Sequence, residues 1–69
     1  MDFGRIIRAI FSDGSTALYV VAEQDGTKAE TLLAGQIAPD FEIEHVGLAS
    51  MRLLLAMSMS PGEIKRTDR

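Results

Sequence analysis

The sequence predicts an α+β protein, an antiparallel β-meander of three to four strands with one C-terminal helix packed on it. Three features point that way. Two Asp-Gly dipeptides, Asp13-Gly14 and Asp25-Gly26, each lie between apolar runs. Both central residues of a type I′ hairpin turn need positive φ, which Asp-Gly tolerates. Residues 41–46 alternate, with Phe41, Ile43 and His45 on one side and Glu42 and Glu44 on the other, which is the period of a strand. Residues 48–59 are dominated by Leu, Met and Ala without a β-branched residue, which favours a helix.

The first two strands and a third follow from the turns. As a two-residue loop, Asp13-Gly14 pairs Phe11 with Thr16, Ala9 with Leu18, Ile7 with Val20 and Arg5 with Ala22. Asp25-Gly26 likewise pairs Ala22 with Ala29, Val20 with Thr31 and Leu18 with Leu33. Side chains alternate along a strand, so one face collects Ile7, Ala9, Phe11, Leu18, Val20, Ala22, Ala29, Thr31 and Leu33. The other sets Arg8 against Tyr19 and Glu23 against Lys28. The expected strands are residues 5–12, 15–24 and 27–33, and a slip of one residue would exchange the faces. Two helical readings compete. Phe3, Ile6, Ile7, Ile10 and Phe11 also fit helical spacing behind Asp2, and Thr27-Lys28-Ala29-Glu30 has the form of a capping box closed by Gly35.

Residues 34–40 read as a loop punctuated by Gly35 and Pro39, and residues 41–46 as a fourth strand. Around residues 48–59, Met51, Leu53, Leu55, Met57 and Met59 also alternate against Ser50, Arg52, Ser58 and Ser60. Taken as a strand, this segment would make the fold a small five-stranded all-β barrel. Taken as a helix, it puts Leu48, Met51, Leu55 and Met59 on one face and Leu53, Leu54 and Met57 on the other. It then needs cover on two sides, from the sheet and from a partner. Ser60-Pro61-Gly62-Glu63 has capping-box spacing. Residues 1–60 are expected to form a single small domain, and residues 61–69 a short, frayed polar tail.

Composition narrows the chemistry. The 69 residues are 46% hydrophobic with a mean hydropathy of +0.11, a globular balance. There is no cysteine and one histidine, which excludes disulfides, thiolate zinc sites, cysteine nucleophiles and multi-histidine metal sites within one chain. No Gly-x-Ser-x-Gly elbow, Walker loop or Gly-x-Gly-x-x-Gly is present. His45 is the sole imidazole for acid–base work, and it is expected to be a satisfied histidine at the edge of the core. Asp40, Glu42 and Glu44 lack the spacing of a calcium loop and read as a solvated strand edge. No enzyme activity, cofactor or metal is expected.

Charge is unevenly spread. Residues 13–45 hold seven acids against Lys28, whereas residues 1–12 and 46–69 each carry a small positive excess. A net charge of -3 and only four aromatics give no basis for direct nucleic-acid binding. Asp2, Arg5, Arg8 and Asp13 break any signal-peptide core, and Arg52 interrupts the longest apolar stretch, so a cytoplasmic protein without membrane insertion is expected. A chain this short buries little surface, which favours a homodimer.

The function these features suggest is a non-enzymatic interaction module that meets a basic protein partner through Glu23, Asp25, Glu30, Asp40, Glu42 and Glu44. One form would be an inhibitor of a nucleic-acid-processing complex of the phage or mobile-element type. Met51, Leu54 and Met57 are the candidate oligomer contacts. The alternative function is a structural or assembly subunit that oligomerises through residues 48–59.

Overall fold

The computed structural model describes residues 3–37 and 40–67. Its elements are β1 (Phe3–Phe11), β2 (Thr16–Val21), α1 (Gly26–Ala34), β3 (Phe41–Ser50), α2 (Met51–Ala56) and β4 (Ile64–Arg66). The four strands form one open antiparallel sheet in the order β3-β1-β2-β4. The α+β class therefore holds, and the closed barrel is absent.

The first reversal differs from its expected form by one residue. Gly14 N–H donates to the Phe11 carbonyl at 2.9 Å and Phe11 N–H to the Ser15 carbonyl at 2.8 Å. The loop is therefore the three residues Ser12-Asp13-Gly14, with Gly14 at φ 89°. A three-residue hairpin uses glycine at its left-handed position as readily as a type I′ turn does. Asp13 closes it, since its Oδ1 accepts from Ser15 N–H at 2.9 Å and from Ser15 Oγ at 2.6 Å.

That one residue moves every partner. Ile7 lies opposite Tyr19, not Val20, and Arg8 lies opposite Leu18, not Tyr19. One face of the β1–β2 ladder now carries Ile7, Ala9, Ala17, Tyr19 and Val21, and the other Ile6, Arg8, Ile10, Leu18 and Val20. Both faces are apolar, so each needs a cover, and each has a helix.

Helix α1 replaces the strand expected at residues 27–33. Asp25 Oδ1 accepts from Lys28 N–H at 3.0 Å, from an extended N-cap conformation. Asp25-Gly26 thus starts a helix instead of turning a hairpin, and neither Thr27 as a cap nor the Glu23–Lys28 strand pairing occurs. A helix brings Ala29 and Leu33 onto one side, four residues apart. Both are fully buried against Ile7 and Val21, with Tyr19, Ile37, Ile43 and Ile64 around them.

Strand β3 returns along the outer side of β1. It is longer than the expected 41–46 and carries a bulge, since Ile6 pairs with Gly47 and Ile7 with His45, leaving Val46 unpaired. Gly4 supports the close packing of β1 on β2, because a Cβ there would lie 2.3 Å from the Val21 carbonyl oxygen.

The helix expected over residues 48–59 is shorter. Residues 48–50 remain in β3, and Ser50 caps α2 by accepting Leu53 N–H on Oγ at 3.1 Å. Ser58, at φ 56°, then turns the chain. Leu54 and Met59 pack on Val20, Ala22 and Ala49, flanked by Ile6, Leu53 and Met57.

The expected frayed tail contains the fourth strand. Ser60 and Glu63 close a turn, with Ser60 N–H donating to Glu63 Oε1 at 2.8 Å and Gly62 at φ 83°. Ile64, Lys65 and Arg66 then pair with Val21, Val20 and Tyr19, and Thr67 N–H donates to the Leu18 carbonyl at 2.9 Å. Lys65 Nζ reaches back to the Met57 carbonyl at 2.5 Å, which ties the strand to the turn after α2. The readings placed on Asp2, Pro39, Asp68 and Arg69 lie outside the described residues.

Candidate functional site

The six acids singled out in the sequence separate into two groups with different surroundings. Glu23 and Asp25 organise the start of α1, with the Glu23 carboxylate accepting Asp25 N–H at 3.1 Å and Asp25 serving as the cap. Glu30 reaches from α1 to the sheet, where its Oε2 lies 2.5 Å from His45 Nε2. His45 is on the α1 side, opposite Ile7; it is a half-exposed ring held by a carboxylate. Arg5 lies beside it, donating from Nε to the Gln24 carbonyl at 2.9 Å, with its guanidinium 5.7 Å from the Phe3 ring centre. Both side chains lie against Gly26, where a Cβ would make ordinary van der Waals contact with Arg5 at 3.7 Å and with His45 at 3.8 Å.

Asp40, Glu42 and Glu44 lie at the other end of the edge strand. Glu44 pairs with Arg8 on the neighbouring strand at 2.5 Å. Both side chains are about half in solvent, so the pair contributes about 0–1 kcal/mol. Among the described residues, Asp40 and Glu42 make no side-chain hydrogen bond or ion pair.

These two carboxylates flank a shallow hollow of about 310 Å³ at the end of the β1–β3 ladder, lined by Ile10, Phe11, Ser12, Asp40, Phe41 and Glu42. Phe11 and Phe41 are register partners, and their ring centres lie 6.5 Å apart at an interplanar angle of 51°. Asp13 lies at the same end, in the loop that follows Phe11. Hydrogen bonds from the Ser15 hydroxyl and then the Ser15 amide hold its carboxyl below the usual carboxylate range, because they stabilise the charged form. Phe11, Phe41 and Asp13 were not legible as a group in the sequence. Their one signal is that the Phe11 loop and the Phe41 strand start both pair an aromatic with nearby acids.

The hollow wraps the end of the ladder, with the two rings on the α1 side and Glu42 on the α2 side, and this combination of aromatic and acidic groups suits a cation chemically. The ring face attracts an ammonium or guanidinium group, and the carboxylates accept its hydrogen bonds.

The candidate oligomer contacts lie elsewhere. Leu54 is 1% exposed within the chain's own core, and Met51 and Met57 are half-buried. Among the described residues, the large apolar side chains that face solvent are Leu55, Leu48, Val46 and, less so, Leu32. Among the described residues, no group of three or more His, Asp or Glu is placed to hold a metal. No helix there is long and apolar enough to cross a membrane.

Fold and surface together define a small open-sheet α+β protein with a helix on each face and an acidic, aromatic hollow at one end. Comparison with protein-family models, curated proteins and solved structures finds no match to the chain.

Proposed function

We propose that this chain is a non-enzymatic interaction module that seats a basic side chain of a protein partner in the hollow beside Phe11 and Phe41. The single observation that supports this reading is the pair of carboxylates, Asp40 and Glu42, which have no partner among the described residues and lie on the rim of an aromatic-lined hollow. The negative charge nearby, including Asp13, speeds the encounter with a basic surface and selects against acidic ones. One form of this function is an inhibitor seated in a positively charged groove of a nucleic-acid-processing complex, of the type carried by phages and mobile elements.

The test is a titration of the isotope-labelled protein with an arginine-rich peptide, followed by amide chemical shifts. The expected shifts centre on Phe11, Phe41 and Glu42. Asp40→Asn combined with Glu42→Gln should weaken binding at least about tenfold, equivalent to about 1.4 kcal/mol, and should flatten its salt dependence. Unchanged affinity in that variant, or shifts centred on α1, would reject the reading.

A second reading, an assembly subunit, is favoured by the exposure of Leu48 (58%) and Leu55 (68%) around the β3–α2 junction. It would use these residues in place of Leu54. A sedimentation coefficient unaffected by Leu55→Glu would remove Leu55 from such a role.

A further inference from the structure

The two edges of the sheet are built differently. Strand β4 is three residues long and carries Lys65 and Arg66, and short charged edges resist pairing with other chains. Strand β3 is ten residues long. Its residues 44–48 are all exposed. Glu42, Glu44 and the bulge at Val46 guard one half of this edge. The other half, Gly47, Leu48, Ala49 and Ser50, carries no charge, and Leu48 is 58% exposed, with Val46 at the boundary 46% exposed.

We propose that two copies of this chain join through their β3 edges, antiparallel, about a two-fold axis between His45 and Val46. Their sheets become one continuous sheet. A second copy fits this edge for three reasons.

The first is charge. A parallel pairing would set Glu42 and Glu44 beside the same residues of the second copy, which is destabilising. The antiparallel pairing lays each acidic half along the uncharged half of the other copy.

The second is the bulge. Phe41, Ile43 and His45 share the α1 side with Leu48 and Ser50, whereas Glu42 and Glu44 share the α2 side with Gly47 and Ala49. An axis between His45 and Val46 pairs Phe41 with Ser50, Glu42 with Ala49, Ile43 with Leu48 and Glu44 with Gly47. Every one of these pairs lies on a single side, and the strand is used along its whole length. Leu48 then rests on Ile43. A shift of one residue would put each pair on opposite sides of the joined sheet.

The third is the end of the strand. There, the first turn of α2 carries the exposed Arg52, next to the position where the second copy's Asp40 and Glu42 enter. This interface uses the backbone edge and Leu48; because Phe41 and Glu42 also line the cation-binding hollow, the cysteine pair at residues 44 and 47, which touches neither, tests the interface separately.

The chain has no cysteine, so engineered thiols report the register directly. Glu44→Cys and Gly47→Cys are made and purified separately; both positions are exposed, and a Cβ at Gly47 meets nothing within 4 Å. Under mild oxidation their mixture should form a cross-linked dimer several-fold faster than either variant alone, because opposed Cβ atoms lie within disulfide reach. Sedimentation of the unmodified protein should give twice the 7.5 kDa chain mass. Leu48→Asp should sediment as a monomer with a native amide spectrum. If that variant unfolds, the cysteine mixture decides alone. A monomer at every concentration up to about 1 mM, where even millimolar association is visible, would overturn the proposal. Glu44→Cys linking to itself as fast as to Gly47→Cys would do so too.

Discussion

Leu54 and Leu55 are neighbours on α2, and the structure assigns them opposite fates. Leu54 is 1% exposed, packed among Val20, Ala22, Ala49 and Met59, whereas Leu55 is 68% exposed. Truncating a fully buried leucine to alanine removes its transfer energy and leaves a cavity, together about 2.7–5 kcal/mol. A six-residue helix at the edge of a small core can settle partly into the gap, which places Leu54→Ala at about 3 kcal/mol. Truncating a mostly exposed leucine costs under about 0.5 kcal/mol. Total stability for 69 residues is about 3–10 kcal/mol, so Leu54→Ala removes a large fraction of it. Urea unfolding followed by far-UV circular dichroism reads both variants. The midpoint of Leu54→Ala should fall sharply at unchanged slope, while Leu55→Ala tracks the parent. The loss should be the same at low and high protein concentration. Equal losses in the two variants would refute the assignment of faces on α2. A Leu54→Ala loss that vanishes on dilution would place Leu54 in an interface between chains.

Three further outcomes follow from local structure. Gly14→Ala forces a side chain into the left-handed region with open space around it, so it should cost about 1–2 kcal/mol, and Gly14→Asn should recover part of that loss in the same urea assay. Asp25→Ala removes the cap of α1 and should cost about 1 kcal/mol, with amide exchange accelerating first at Lys28 and Ala29. The Asp13 carboxyl is depressed below 3.8, so its contribution to stability is fully present above that value and is lost as pH falls through the lower, folded-state value. Acid titration of the Ser15 amide shift should report the depressed value, and Asp13→Asn should abolish that titration.

Several elements can be read directly from side-chain pattern. The apolar run of β1, the alternation in β3 and the absence of β-branched residues in α2 each mark the right element type, because period and rotamer preference act locally. Asp13-Gly14 and Asp25-Gly26 both mark real boundaries, but of different kinds. Aspartate followed by glycine serves equally as a hairpin loop and as a helix cap, and only the cover available on each side of the sheet separates the two. The candidate site was half legible. Asp40 and Glu42 stand out as acids, but nothing local shows that Glu23, Asp25, Glu30 and Glu44 already have partners.

The amino-acid sequence alone determined the α+β antiparallel class and ruled out thiol and multi-histidine chemistry. Both follow from residue identity and near-neighbour spacing. The three-dimensional packing decided the register of β1 on β2, the helix at residues 26–34, the strand at residues 64–66 and the meeting of Phe11 with Phe41. Each of these rests on contacts between residues far apart in the chain. With both faces of β1 and β2 apolar, a one-residue shift changes little in local preference and everything in which side chains meet.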